Sequence, residues 1–330
     1  MKRLLHAFVF AAAAALFTIP AQAQTVLRIG TAVPAGSPQG VAWDRVAELV
    51  KESNSGIDVR IYHGGQLGTP EAQIQNVRIG AQDGFVEGIT WWESFSDNMG
   101  LEAAPFVFDG REHLSRWFGS EHFAAIQEDI VANGNQRLIF SDHMWWRGPF
   151  RVLVAKKPVL TLDDVKATKL RMPASELLTR YWGPSGLGAQ IVNIAWNDTY
   201  LSILQGIVDG VVSPFDLVVS MRFVEIAKHI MLIDEYQTPI VVGMNETKWQ
   251  SLSDEQRSAF TAAMTKAGEE YTAALDANVA NWTAELEAAG ATIHEFDRRP
   301  FVDKVRELNE RYVTEGHIPE GLIEQIDSLR

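Results

Sequence analysis

The stretch from Asp254 to Ala289 holds no proline, and Gly268 is its only glycine before Gly290. Alanine is abundant there, and apolar residues recur at helical spacing. Drawn as one helix, the stretch reaches roughly 50 Å at 1.5 Å per residue. That exceeds the width of one ordinary α/β unit, so the expectation is a helix that bridges two lobes. The chain shows no internal repeat and no low-complexity linker. Several short crossings between lobes are therefore expected, rather than one tether.

The remainder alternates strand and helix. Val26 to Gly30 reads as a strand, and Ser37-Pro38 as a helix start with Ser as cap. Val46, Leu49 and Val50 give that helix an apolar face. Ile57, Val59 and Ile61 alternate as a half-buried strand does. Thr69-Pro70 opens a second helix that Gly80 closes, and Asp83 to Ile89 is a third strand. This βαβαβ order predicts a parallel sheet with covering helices. An aromatic stretch follows, with Trp91-Trp92 and Pro105-Phe106-Val107-Phe108. Helical segments then lie around Leu114 to Phe118 and Phe123 to Val131, before a strand from Leu138 to Ser141. A second α/β region begins near Pro149. It runs strand (Phe150 to Ala155), capped helix (Thr161 to Val165), strand (Thr168 to Met172), helix (Ser175 to Gly186), strand (Ala189 to Val192), helix (Asn197 to Gln205) and strand (Val208 to Ser213).

The first 23 residues read as an export leader. Lys2 and Arg3 precede an apolar, alanine-rich run from Leu4 to Phe17, and Ala21-Gln22-Ala23 is a small-x-small cleavage site. The run is too short to span a bilayer. Cleavage after Ala23 removes two basic and no acidic residues, which takes the formal charge from −13 to −15. So acidic a surface argues against nucleic acid and anionic lipid as partners. Any anionic ligand must be held by local positive charge. There is no cysteine, which excludes disulfides, thiolate nucleophiles and Cys-based metal sites.

Enzyme signatures are missing from the sequence. Gly186-Leu187-Gly188 lacks the third glycine of a dinucleotide loop and follows its helix rather than preceding it. There is no phosphate-binding Gly-Lys-Ser/Thr loop, no His-Glu-x-x-His and no Gly-x-Ser-x-Gly. Glu112-His113 and Glu121-His122 are adjacent pairs whose side chains diverge on a helix, and they read as surface residues. No cofactor and no metal is expected.

The chemistry concentrates in Lys169-Leu170-Arg171-Met172-Pro173-Ala174-Ser175 and in Arg151 upstream. Leu170 and Met172 flank Arg171 at strand spacing. Pro173 stops the strand and Ser175 caps the next helix. Arg171 is thus expected at the carboxyl end of a strand, where open α/β sheets bind ligands. Its planar guanidinium matches a carboxylate and stays charged at any working pH.

Together these fragments resemble the solute-binding proteins of tripartite ATP-independent periplasmic (TRAP) transporters, of the dicarboxylate-binding (DctP) type. Gly65-Gln66-Leu67-Gly68 is similar to the family's Gln-Leu-Gly turn, and Pro105-Phe106-Val107-Phe108 to its Pro-Phe-x-Phe segment. Phe150-Arg151, Lys157-Pro158, Asp163-Asp164-Val165 and Lys169 to Pro173 follow its central signature in order. Tyr200, Leu204 and Val208-Asp209-Gly210 resemble the helix and strand beyond it, and Trp249, Leu252 and Phe260 the start of the long helix. The resemblance implies an α/β, two-lobe periplasmic binding protein fold with a long helix spanning both lobes. Expected lobes are residues 24–148 with 237–277, and 149–236 with 278–330. It implies a periplasmic, non-enzymatic monomer that closes on a small carboxylate and delivers it to TRAP permease subunits in the membrane. A periplasmic enzyme acting on a small organic acid, or a sensory ligand-binding module, is the alternative.

The resemblance also assigns residues. Arg171 matches the arginine that pairs with the ligand carboxylate, and Arg151 a supporting one. Trp196 lies where an aromatic packs on the ligand. The asparagine that touches the carboxylate in many members is replaced by Ser213, in Val211-Val212-Ser213-Pro214. Trp91, Trp92, Trp145, Trp146 and Phe215 are candidates to line the same cleft. Pro70 and Ala32 stand where sialic-acid binders carry polar contacts. The expected ligand is therefore a small monocarboxylate with an apolar or ring-shaped body.

Overall fold

The computed structural model describes residues 24–96 and 98–330. The leader read from residues 1–23 lies outside the described residues. Twelve strands follow in chain order among the described residues: β1 (Thr25–Thr31), β2 (Ile57–Tyr62), β3 (Gly84–Gly88), β4 (Gln136–Ile139), β5 (Trp145–Trp146), β6 (Arg151–Ala155), β7 (Lys169–Met172), β8 (Gln190–Asn193), β9 (Gly210–Pro214), β10 (His229–Met231), β11 (Pro239–Asn245) and β12 (Thr292–His294).

They form two sheets. The first has the order β2-β1-β3-β11-β4, with β5 also paired to β11; the second has the order β12-β10-β6-β9-β7-β8. The chain crosses from the first sheet to the second between β5 and β6. It returns between β10 and β11, and crosses again in the segment between β11 and β12. The opening βαβαβ pairs in parallel, with Leu27 against Val59 and Gly30 against Phe85. β11 then inserts antiparallel beside β3, with Val242 opposite Val86. The apolar run Pro239–Asn245 is buried along its whole length, so it has no alternation to mark it as a strand.

Helix ends follow the capping chemistry. Ser37 accepts from Gly40 N, Thr69 from Ala72 N, Thr161 from Asp164 N and Ser253 from Gln256 N. Gly80, at φ 75°, turns the chain out of the helix Pro70–Arg78. The helix expected to reach Gly186 stops at Trp182. Gly183 and Pro184 end it, because the proline offers no N–H to continue the ladder.

The long helix is continuous over Asp254–Ala288. It packs along the helix Pro38–Glu52 on the first lobe and the helix Phe215–Ser220 on the second. Phe260, Met264 and Tyr271 join the first lobe's core, and Leu286 joins the second lobe's. The C-terminal segment ties the lobes once more. Tyr312 Oη donates to Arg180 O at 2.8 Å, and His113 Nε2 donates to Ile326 O at 2.7 Å. His113, read from sequence as a surface residue, is therefore buried: the last helix, Leu322–Asp327, docks over it.

Candidate functional site

A cavity between the two sheets holds both arginines. Ala32, Pro70, Glu87 and Trp91 line it from the first lobe, and Arg151, Arg171, Leu178, Trp182 and Trp196 from the second. The crossings contribute Arg147, Glu235, Tyr236 and Thr238. About 70 Å³ of it is open to the centre of a water-sized sphere, room for a few waters or a small acid.

The topology explains why the arginines meet. β7 and β9 are parallel and β6 runs antiparallel to β9. The carboxyl end of β7 and the amino end of β6 therefore lie at the same edge of the second sheet. Arg171 is placed at that edge near the end of β7, and Arg151 at the start of β6. β9 separates them, so their strands stand about 10 Å apart.

Their surroundings differ. Arg151 is buried and paired with an acid. Its Nε donates to Glu235 Oε1 at 2.8 Å, its Nη1 to Thr238 Oγ1 at 3.0 Å, and its guanidinium carbon lies 4.4 Å from the Tyr236 ring centre. Burial works against the Arg151 charge, but Tyr236, Glu235 and Asp234 together outweigh it and hold the pKa above its ordinary value. Arg171 is equally buried, at 5% exposure, but has no carboxylate partner. Its Nε donates to Ile194 O at 2.7 Å, its guanidinium sits 5.3 Å from the Trp196 ring centre, and Nη2 has no partner. Desolvation pulls its pKa down to about 10, with only partial relief from Glu71, Tyr236 and Glu87. A buried cation with a free N–H is a site for an anion.

Of the aromatic residues singled out in the sequence, Trp91 and Trp196 line the cavity. Trp92 does not. It is fully buried, its Nε1 donates to Gln136 Oε1 at 2.9 Å, and its ring packs against Gly243. Trp146 is a core residue beneath Arg111, whose guanidinium lies 5.7 Å from the ring centre. Trp145 stacks on Tyr271 and Phe215 on Phe150, both away from the cavity wall. Ser213 is buried with its hydroxyl donating to Pro214 O at 2.9 Å, and does not line the cavity. Pro70 and Ala32 do line it.

Sequence reasoning did not single out Arg147, Glu87, Glu235, Tyr236 or Thr238. Arg147 pairs with Glu87 Oε2 and donates through Nε to Gln39 Oε1 at 3.1 Å. Glu87 left a trace in the sequence: it is the lone acid in an otherwise apolar strand, where an unpaired charge is not tolerated. Glu235 and Tyr236 lie in a connection with no such mark.

Residues 29–315 match the family model described as bacterial extracellular solute-binding protein, family 7 (DctP). The chain belongs to this family of TRAP transporter solute-binding proteins. It is 24% identical over 315 residues to the sialic acid-binding periplasmic protein SiaP of Vibrio cholerae, covering 93% of this chain and 94% of that one. It is 23% identical over 326 residues to the 2,3-diketo-L-gulonate-binding periplasmic protein YiaO of Escherichia coli, covering 97% of each. The fold matches that of a TRAP periplasmic solute-binding protein from Roseobacter denitrificans with bound L-galactonate, at TM-score 0.81, 23% identity, and 93% and 98% coverage. A Sulfurospirillum deleyianum protein of the same kind, with bound succinate, superposes at TM-score 0.82, 20% identity, and 93% and 100% coverage. TRAP solute-binding proteins work with membrane permeases. Among the described residues no helix is long and apolar enough to cross a membrane.

Proposed function

We propose that this chain is a non-catalytic periplasmic receptor that captures a small organic acid by its carboxylate and delivers it to a TRAP permease. The observation that carries the reading is Arg171: a buried guanidinium with a free N–H, a pKa depressed by desolvation and no acidic partner. A ligand carboxylate supplies the missing charge. Support also comes from the relatives, whose named solutes, such as sialic acid, L-galactonate and succinate, differ in size and hydroxylation but share a carboxylate. Arg151 supports the site without anchoring the ligand, because Glu235 already neutralises it.

The lining by Pro70, Ala32, Trp91, Trp182 and Trp196 favours a short acid with an apolar body over a long sugar acid. The lobes follow residues 24–148 with 237–277 and 149–236 with 278–330. The protein acts as a monomer after cleavage behind Ala23. Light scattering and the intact mass of the exported protein, starting at Gln24, check those two statements. The functional test is calorimetry against a panel of carboxylic acids and their methyl esters. Binding of an acid, with its ester inert and the acid recovered unchanged, is expected. Turnover of the acid would replace the receptor with an enzyme.

A further inference from the structure

We infer that the cavity reads a hydrogen-bond donor on the solute as well as its carboxylate, that Glu235 does the reading, and that the solute is a hydroxyl-bearing monoanion. This rests on the carboxylate-binding role of Arg171 proposed above. Three atoms on residues that line the cavity are buried without a partner: Arg171 Nη2, Trp196 Nε1 and Glu235 Oε2. The first two are donors and suit the oxygens of a carboxylate. The third is an acceptor, and a carboxylate has nothing to offer it. Buried polar atoms in proteins are nearly always paired, so the missing partner of Glu235 is expected on the solute.

Glu235 is also held in place. Its Oε1 accepts from Arg151 Nε at 2.8 Å, and the residue is fully buried, so Oε2 is not free to turn to solvent. Glu87, the other acid of the cavity, has both oxygens occupied. Oε1 accepts from Ala32 N at 3.3 Å, and Oε2 from Gly88 N at 3.2 Å and from Arg147. Glu235 is thus the acid with an oxygen to spare.

The charge balance narrows the donor. Counted by direct ion pairs, Arg147 has Glu87 and Arg151 has Glu235, which leaves Arg171 as the one guanidinium of the cavity lining without a paired acid. One carboxylate completes the balance. A second carboxylate overshoots it, and the ammonium of an amino acid restores an unpaired positive charge. A neutral hydroxyl satisfies Glu235 without either penalty.

The experiment is calorimetry on the full exported protein with acids that share a skeleton and differ at one group: lactate, pyruvate and propionate, then 3-hydroxybutyrate, acetoacetate and butyrate, with alanine and malate as charge controls. The hydroxy acid is expected to bind at least tenfold tighter than its keto and deoxy partners in one or both sets, and tighter than either control. Binding of the deoxy or keto acid within threefold of the hydroxy acid, or preference for malate or alanine, overturns the inference and leaves the carboxylate reading standing. Absence of binding by these acids and by a wider set of sugar and aromatic acids removes both. Glu235→Gln supplies a readout that a merely structural role does not move. Its amide keeps the carbonyl on Arg151 by turning the NH₂ to the cavity, which converts the acceptor into a donor. The preference for hydroxy over keto acid should fall at least fivefold in a variant whose circular dichroism is native. An unchanged preference sinks the role of Glu235.

Discussion

Arg171 and Arg151 occupy the same edge of one sheet, yet their removal should act on the empty protein with opposite signs. Arg151 neutralises a buried glutamate at 2.8 Å. Arg151→Ala strands that carboxylate, a loss of about 3–5 kcal/mol, so the ligand-free melting temperature should drop by roughly 6 °C or more. Arg171 has no carboxylate in direct contact and feels Glu71 and Glu87 only at a distance. Arg171→Met should raise the melting temperature of the empty protein while weakening ligand binding by two to three decades or more, the cost of breaking a buried charge pair. Calorimetry that finds Arg171→Met within threefold of the parent removes it as the anchor. A third residue adds a pH dependence. Asp216 is buried without an ion-pair partner, and desolvation, against the pull of Arg147 and of nearby backbone N–H groups, raises its pKa to about 6. A carboxyl whose pKa is higher folded than unfolded binds more protons in the folded state between about pH 4 and 6, so its contribution to stability falls as pH rises through that window. At pH 7 the penalty is on the order of 3 kcal/mol. Asp216→Asn should therefore raise the melting temperature at pH 7.5, with the gain vanishing near pH 4. An equal gain at both pH values would show that Asp216 does not titrate in this way. At this scale the neighbours Leu170, Met172 and Pro173 made the position of Arg171 near a strand's carboxyl end readable in the sequence. It could not separate Trp91, on the cavity wall, from Trp92, in the core: the two are adjacent, and the face each presents depends on the turn Ile89–Phe95.

Elements with local chemistry were the legible ones. Six helix starts carry a hydroxyl that accepts from a first-turn N–H, and four of them were visible in the sequence, as Ser37-Pro38, Thr69-Pro70, Thr161-x-x-Asp164 and Ser175 after Pro173. β11 and the short β5, β10 and β12 were not, because long-range pairing makes them strands: Ile230 meets Val154 and Ile293 only after the chain has travelled through a lobe. The long helix was readable in extent but not in the reason for its glycine. A Cβ at Gly268 would lie 2.3 Å from Trp145 Nε1, and that nitrogen donates to Met264 O at 2.9 Å. Gly→Ala in a helix interior ordinarily gains about 1 kcal/mol. Here the methyl has to displace a buried indole, at a cost of typically 1–3 kcal/mol for overpacking, besides the hydrogen bond. Gly268→Ala should lower the melting temperature by a few degrees. A stabilised variant would mean that Trp145 moves aside without loss.

At the scale of the whole molecule, the unpaired arginine gives a reason for the lobes to move. In this structure they meet across the cavity through few polar contacts. Leu177 N donates to Glu93 Oε1 at 3.2 Å, and Asn197 Nδ2 to Gly64 O at 3.4 Å. Each is worth about 1 kcal/mol net. Against them stands the buried Arg171 charge, whose pKa of about 10 lies some two and a half below its ordinary value. Keeping it charged and unpaired in this structure costs on the order of 3 kcal/mol relative to water, and opening the cleft is expected to recover part of that cost. The empty protein should favour open lobes, and a carboxylate should shift the balance by neutralising the guanidinium only when the lobes close. Small-angle scattering should show a smaller radius of gyration at saturating ligand. The same argument makes a further demand. Arg171→Met removes the charge that opposes closure, so this variant, without ligand, should scatter more like the liganded parent than like the empty one. If the parent binds ligand by calorimetry with no change in radius of gyration, closure is not linked to binding. If the parent closes but the empty variant stays open, something other than the Arg171 charge holds the lobes apart.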